Sequence, residues 1–121
     1  MIPSVYFYTA LIMNYDEPFG CSVTTTLNVI GGRWKPVILF HLLENGVVRF
    51  NQLKRMTDGI TQRMLTNQLK ELVSDGIVER KVIEVVPPHV EYLLTDYGKT
   101  LTPILIEMRE WGAKHAEKQS L

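Results

Sequence analysis

The sequence has 121 residues, of which 45% are hydrophobic and 21% are charged. This length and composition indicate one folded domain and exclude a disordered chain. The formal net charge is zero, so the chain can neutralise DNA phosphates only if its basic residues are concentrated in one segment.

Positive charge is concentrated in the middle third of the chain. Residues 49–81 contain seven basic and four acidic residues, a net charge of +3. Residues 1–30 carry two acidic residues and no basic one, and residues 82–121 carry four basic and six acidic residues, so each flank has a net charge of −2. This distribution favours a nucleic-acid-binding face in the middle of the chain.

Residues 1–20 are predicted to form an N-terminal extension to a domain at residues 21–121. Val5–Met13 is apolar but shorter than the roughly 20 residues that a membrane-spanning helix needs. No basic residue precedes Arg33, which argues against a secretory signal and against a membrane-surface helix. We therefore expect the extension to pack on the body of the protein or on a partner subunit, although Met13 offers an alternative start.

Cys21 is the only cysteine, which excludes an internal disulfide and a cysteine-rich zinc site and fits a reducing cytoplasm. It is predicted to stand immediately before the first helix, where the positive end of the helix dipole stabilises a thiolate, although Asp16 and Glu17 oppose this. Two interpretations stay open. Cys21 is either a redox sensor that forms a disulfide or an adduct, or a half-buried structural residue.

Two helices are predicted next, followed by a short strand and a third helix. Ser22 or Thr24 can cap a first helix ending at Ile30, and Pro36 suits the first turn of a second helix. Residues 47–50 predict a strand, and Asn51 can cap the short third helix.

The fourth helix is the clearest in the chain and is predicted to run from a cap at Thr61 to about Asp75. Its apolar residues recur with helical spacing and predict one buried face, made of Leu65, Leu69, Leu72 and Val73. No acidic residue interrupts the opposite face before Glu71, and its side-chain types are those that contact base edges and phosphates. With the preceding helix it predicts a helix-turn-helix, although any solvated helix has a polar face. The predicted recognition residues are Thr61, Gln62, Arg63, Thr66, Asn67 and Lys70.

A β-hairpin is predicted from two β-rich segments, residues 77–86 and 89–94, which are separated by Pro87-Pro88. A hairpin at this point of a helix-turn-helix domain is a wing, which contacts the DNA backbone or the minor groove. A solvated hairpin without a partner is the alternative. The candidate contacts on the wing and at the start of the helix-turn-helix are Arg49, Asn51, Lys54, Arg80, Lys81 and His89.

The last helix is predicted to be capped by Thr95 and kinked by Pro103. Its apolar stripe exceeds what a small core covers and indicates an interface between two copies of the chain. The predicted fold class is α+β and mostly helical, a winged helix-turn-helix with extra N- and C-terminal helices that form a dimer interface. The predicted interface residues are Leu27, Ile104, Leu105, Met108 and Trp111. A twofold dimer with two recognition helices about one DNA turn apart predicts a near-palindromic operator.

Three segments of the chain resemble the HxlR family of bacterial regulators. They are LNVIGGRWKPVILFHLL at 27–43, RFNQLKRMTDGITQRMLTNQLKELVSDGIVER at 49–80 and VPPHVEYLLTDYGKTL at 86–101. The resemblance implies a dimeric transcription regulator whose fourth helix reads the operator, and in several such regulators a cysteine at the position of Cys21 senses oxidants or electrophiles. His89 stands where these proteins often have Arg, and Pro36 replaces the usual apolar residue.

The expected partners are therefore double-stranded DNA, a second copy of the chain, and a small-molecule or oxidant effector, with no membrane. The three histidines are scattered without metal-ligand spacing, and the sequence has no catalytic motif, so neither a metal, a cofactor nor an enzyme is expected. Two alternatives stay open: a winged helix that contacts another protein and not DNA, and a MarR-type regulator, against which the short chain and VPPHVEY argue.

Overall fold

The computed structural model describes residues 19–120. The chain divides into two units, residues 1–31 and residues 32–121. The apolar segment Val5–Met13, Asp16, Glu17 and the alternative start at Met13 lie outside the described residues.

The described part of the first unit is helix α1, Phe19–Ile30. Its described part begins three residues before the first of the predicted caps, so Cys21 lies within the helix and not before it. The prediction was wrong because threonine hydroxyls can bond within a helix as well as cap it. Thr24 and Thr25 donate to the carbonyl oxygens of Gly20 and Cys21, each over 2.9 Å.

The second unit has the element order of a winged helix. Its helices are α2 (Lys35–Asn45), α3 (Phe50–Met56), α4 (Gln62–Ser74) and α5 (Thr102–Gln119), and its strands are β1 (Val48–Arg49), β2 (Val78–Ile83) and β3 (His89–Leu94). The strands form an antiparallel sheet in the order β1-β3-β2. A 3-10 helix, Gly98–Leu101, precedes α5. The predicted fold class, mostly helical α+β with a winged helix-turn-helix, is thus confirmed.

One apolar core joins these helices to the sheet. It is built from side chains that are almost completely buried, including Ile38, Leu39, Leu42, Val48, Leu53, Leu65, Leu69, Leu72, Val78 and Leu105. Because α4 contributes three of these leucines from one face, its polar face is held toward solvent.

The start of α3 differs from the prediction. The helix begins at Phe50 after a strand of only two residues, so Asn51 is its second residue and does not cap it. Tertiary contacts decide this boundary: Val48 pairs with Tyr92 across the sheet, and the ring centroids of Phe50 and Tyr92 are 6.4 Å apart.

The last helix also begins later than predicted. Thr95 does not cap α5 but precedes the 3-10 helix, whose N-cap residue is Tyr97. The Thr95 Oγ1 accepts a hydrogen bond from the Gly98 N–H at 2.9 Å and donates one to the Gly76 carbonyl at 2.6 Å. Pro103 lies in the first turn of α5 and not at a kink. The first turn tolerates proline because the missing N–H has no partner within the helix there.

Candidate nucleic-acid interface

Helix α4 is fixed at its start by the predicted cap. The Thr61 hydroxyl accepts a hydrogen bond from the Met64 N–H at 3.0 Å, and Thr61 itself has an extended backbone. Leu65, Leu69 and Leu72 are buried as predicted, whereas Val73 is 37% exposed. Val73 lies at the edge of the apolar face, beside the hairpin, and lines a surface groove there.

The polar face of α4 carries the predicted recognition residues. Thr61, Gln62, Arg63, Asn67 and Lys70 are exposed, and Thr66 is half-buried. Among residues 19–120, neither Arg63 nor Lys70 forms an ion pair. The Thr66 hydroxyl donates to the Gln62 carbonyl at 2.9 Å, which leaves its methyl group and a lone pair for other contacts.

The pleat of the sheet separates two predicted wing residues. Arg80 stands opposite Tyr92, which in turn stands opposite Val48, so these three share the face that carries the core. Lys81 stands opposite Glu91 and points to the other face, because successive side chains of a strand alternate. Arg80 is therefore the wing cation that shares a face with α4.

A groove of about 510 Å³ lies between α4 and the hairpin. Thr66 and Lys70 line it from the helix, and Arg80 lines it from β2. Its floor is apolar and includes Phe50 and Tyr92. The fold thus brings three of the predicted contacts to one surface. Lys70 and Arg80 have no ion-pair partner among residues 19–120, so their positive charge can hold a phosphate.

A second groove of about 570 Å³ lies between α3 and the hairpin loop. It brings together Arg49, Asn51 and His89, which were predicted, and Arg55, which was not. Arg55 follows Asn51 by four residues, a spacing that places both on one helix face and could have identified it. Lys54 is exposed but lines neither groove.

Lys81 and His89 each lie close to a carboxylate, whose negative charge lowers the local positive potential. Lys81 Nζ lies 3.6 Å from Glu79 Oε2, and His89 Nε2 lies 3.0 Å from Glu91 Oε2. His89 is the first residue of β3, next to the loop at residues 84–88. These two residues offer less positive charge to a phosphate than Arg80 does.

An ion pair that the sequence did not predict connects α2 to α4. Lys35, at the start of α2, is 8% exposed, and its Nζ lies 2.7 Å from Glu71 Oε2. The two residues are 36 positions apart, so no local pattern indicates the contact. The ion pair lies on α4 beyond the last predicted recognition residue, Lys70.

The predicted interface residues are mostly exposed apolar side chains. On α1, Leu27 is 58% exposed. On α5, the exposed fractions are 40% for Ile104, 46% for Met108 and 69% for Trp111, whereas Leu105 is buried in the core of its own unit. Cys21 is an exposed free thiol on α1.

Two findings concern metals and membranes. Within residues 19–120, no group of three or more His, Cys, Asp or Glu side chains is placed to hold a metal ion. None of the helices in this part of the chain is long and apolar enough to cross a membrane.

A comparison with known protein families agrees with this architecture of a capped polar helix beside a hairpin. The model of the HxlR-like helix-turn-helix family matches residues 29–120. The chain belongs to the HxlR family. It is a transcriptional regulator of the helix-turn-helix type. The family and the similar proteins are transcriptional regulators and not enzymes.

Three similar proteins illustrate this relationship. The HTH-type transcriptional regulator YdeP of Bacillus subtilis is 48% identical over 103 residues, which cover 85% of this chain and 80% of YdeP. The redox regulator HypR in its oxidised form is 53% identical, with a TM-score of 0.74 over 78% of this chain and 96% of HypR. A regulator from Enterococcus faecalis described as a MarR-family member is 36% identical, with a TM-score of 0.73 over 88% of this chain and 96% of its own.

Proposed function

We propose that this HxlR-family protein binds DNA sequence-specifically as a homodimer on a near-palindromic operator. The observation that carries the proposal is the groove in which Thr66 and Lys70 of α4 meet Arg80 of β2 without an acidic partner among the described residues. In this proposal the first turns of α4 enter the major groove, where Arg63 pairs with guanine and Asn67 with adenine. The wing contacts the neighbouring backbone through Arg80.

The homodimer is proposed from the apolar surface of the terminal helices. Met108 and Trp111 on α5, and Leu27 on α1, expose large apolar side chains, which in small proteins mark an interface. An isologous dimer presents two copies of α4, and its twofold symmetry requires a near-palindromic site with half-sites about 34 Å apart.

Fluorescence anisotropy of the reduced protein on labelled duplexes tests the DNA-binding proposal. We expect enrichment of one sequence from a randomised duplex pool, and binding of that duplex that survives random competitor DNA and weakens with added salt. Arg63→Ala should cost about 1–3 kcal/mol at one operator position. Equal affinity for all duplexes, unchanged by Arg63→Ala, would favour the protein-contact alternative.

We further propose that Cys21 is a redox sensor. Its thiol is free and exposed on helix α1, and HypR, which the chain resembles, is described as a redox regulator. With one cysteine in each chain, two Cys21 thiols form one disulfide between subunits. The reaction releases two protons and two electrons, which an oxidant such as diamide accepts.

Diamide treatment tests this second proposal. We expect a dimer on non-reducing gels that dithiothreitol reverses, together with altered operator affinity. Cys21→Ser should abolish both effects while leaving the operator affinity of the reduced protein unchanged. Altered affinity of the oxidised wild type without a covalent dimer would instead indicate a mixed disulfide or an adduct.

A further inference from the structure

Lys35 carries its positive charge in surroundings that are unfavourable to a cation. Lys35 is the first residue of α2, so its positive charge lies at the positive end of that helix dipole. Its side chain is also 10% exposed, which removes most of the hydration of an ammonium group. Within the described residues, Glu71 is its one ion-pair partner.

The buried leucine face of α4 sets which side of the helix faces the core, and further contacts limit small rotations about the helix axis. Leu65, Leu69 and Leu72 hold one face of the helix against the core, but apolar contacts tolerate small rotations because the hydrophobic effect is not directional. The hydrogen bond at Thr61 fixes where the helix begins. A short, charge-assisted contact at the far end of the helix is directional, and it therefore limits rotation.

Glu71 is well placed to control the side chains that face DNA. It follows Asn67 by four residues, so the side chains of Asn67 and Glu71 leave the helix in directions that differ by about 40°. A rotation of α4 that separated Glu71 from Lys35 would therefore move Asn67 and Arg63 sideways across the base edges.

From these observations the geometry points to Lys35 as a positioning residue for DNA reading: its ion pair with Glu71 holds α4 at the rotation in which Arg63 and Asn67 reach their bases. This inference rests on the proposed DNA-binding function. Lys35 does not contact DNA, and it acts through Glu71. The pair also neutralises Glu71, which would otherwise present an unpaired carboxylate near the phosphates.

The double variant Lys35→Met/Glu71→Gln tests the inference because it removes both charges and keeps the net charge of the protein. The probe is the duplex that wild-type protein enriches from a randomised pool, compared with random duplex at several salt concentrations. We expect the ratio of the two affinities to fall about tenfold, which corresponds to the loss of roughly one base contact. The affinity for random duplex and its salt dependence should stay at the wild-type values, because the phosphate contacts are intact.

Lys99→Met/Asp96→Asn is the matched control. It removes an exposed ion pair with Nζ and Oδ1 4.0 Å apart, again without changing net charge, and should leave the ratio unchanged. Circular dichroism and urea unfolding establish whether both double variants fold. If Lys35→Met/Glu71→Gln does not fold, the single variant Lys35→Met provides a second test.

The outcomes separate the two proposals. A wild-type ratio of affinities maintained in the folded Lys35→Met/Glu71→Gln variant would overturn the positioning role of Lys35. An equal loss on operator and random duplex would overturn it too, because general weakening does not require a change in base reading. Wild-type protein that enriches no sequence would overturn the proposed function itself.

Discussion

Arg80 and Lys81 are neighbours in the chain, yet the pleat of β2 directs them to opposite faces of the sheet. Arg80 lies in the groove beside α4, and Lys81 lies opposite Glu91 and near Glu79. From the sequence alone both were predicted to contact DNA, because alternation becomes informative only when the buried face is known.

The pair offers a matched test of the wing. Arg80→Gln should weaken binding to operator and random DNA by a similar factor, roughly threefold to tenfold, and lower the slope of affinity against salt by about 1. Lys81→Gln should change the slope by less than half as much, because Glu79 already offsets its charge. Anisotropy titrations over a salt series measure both slopes. Equal changes would mean that the wing contacts DNA with both faces.

The Lys35–Glu71 pair predicts an asymmetry in stability. Glu71→Ala leaves a buried ammonium group without its carboxylate, and we expect the free energy of unfolding to fall by about 1–3 kcal/mol. Lys35→Met removes the buried charge and keeps an apolar side chain of similar length, so a change below about 1 kcal/mol is expected. Urea unfolding of the two single variants compares these values. Losses below about 1 kcal/mol in both variants would show that water reaches the Lys35 ammonium once Glu71 is removed.

At the level of single elements, the start of α4 depends on one hydroxyl group. Thr61→Ala removes the acceptor of the Met64 N–H and should lower the free energy of unfolding by about 1 kcal/mol. Operator affinity should fall as well, because the first turn of α4 carries Gln62 and Arg63. Urea unfolding and anisotropy provide the two measurements.

Thr66→Ala is the control for the cap, since its hydroxyl bonds only to a carbonyl of the same helix among the described residues. We expect its stability to stay within about 0.5 kcal/mol of the wild type. A loss as large as that of Thr61→Ala would mean that the cap does not determine where α4 begins.

The elements that the sequence predicted well are those whose ends depend on local chemistry. The cap at Thr61, the buried leucine face of α4 and the hairpin around Pro87-Pro88 are all present. Boundaries set by distant contacts were predicted wrongly, as at Phe50, whose neighbours pair with β3. The α2–α4 ion pair was missed for the same reason, because a contact between residues 36 positions apart does not produce a periodic pattern in the sequence.

At the scale of the whole molecule, α5 carries more apolar surface than its own unit covers. Leu105 is buried, but Ile104, Met108 and Trp111 are not, and the Trp111 ring stacks on His115 with centroids 5.0 Å apart. Exposing this surface to water is unfavourable, and association of two copies would remove it from solvent.

The last prediction concerns the consequence of that association for DNA reading. Met108→Asp and Trp111→Asp each place a charge in the proposed interface, and sedimentation should find monomers at concentrations where the wild type is a dimer. Val47→Asp, at a residue that is 51% exposed outside α5, should remain dimeric. A dimer that persists in both α5 variants would place the contact elsewhere.

Monomers should also lose operator affinity far more than random-DNA affinity. One subunit reads one half-site, and the second set of base contacts no longer adds to the first through a high effective concentration. Phosphate contacts of a single subunit still bind any duplex, although more weakly. The operator-to-random ratio measured for Trp111→Asp therefore separates two roles of α5. A ratio that falls with the dimer shows that assembly supplies specificity, whereas a monomer with the wild-type ratio shows that one copy of α4 is sufficient.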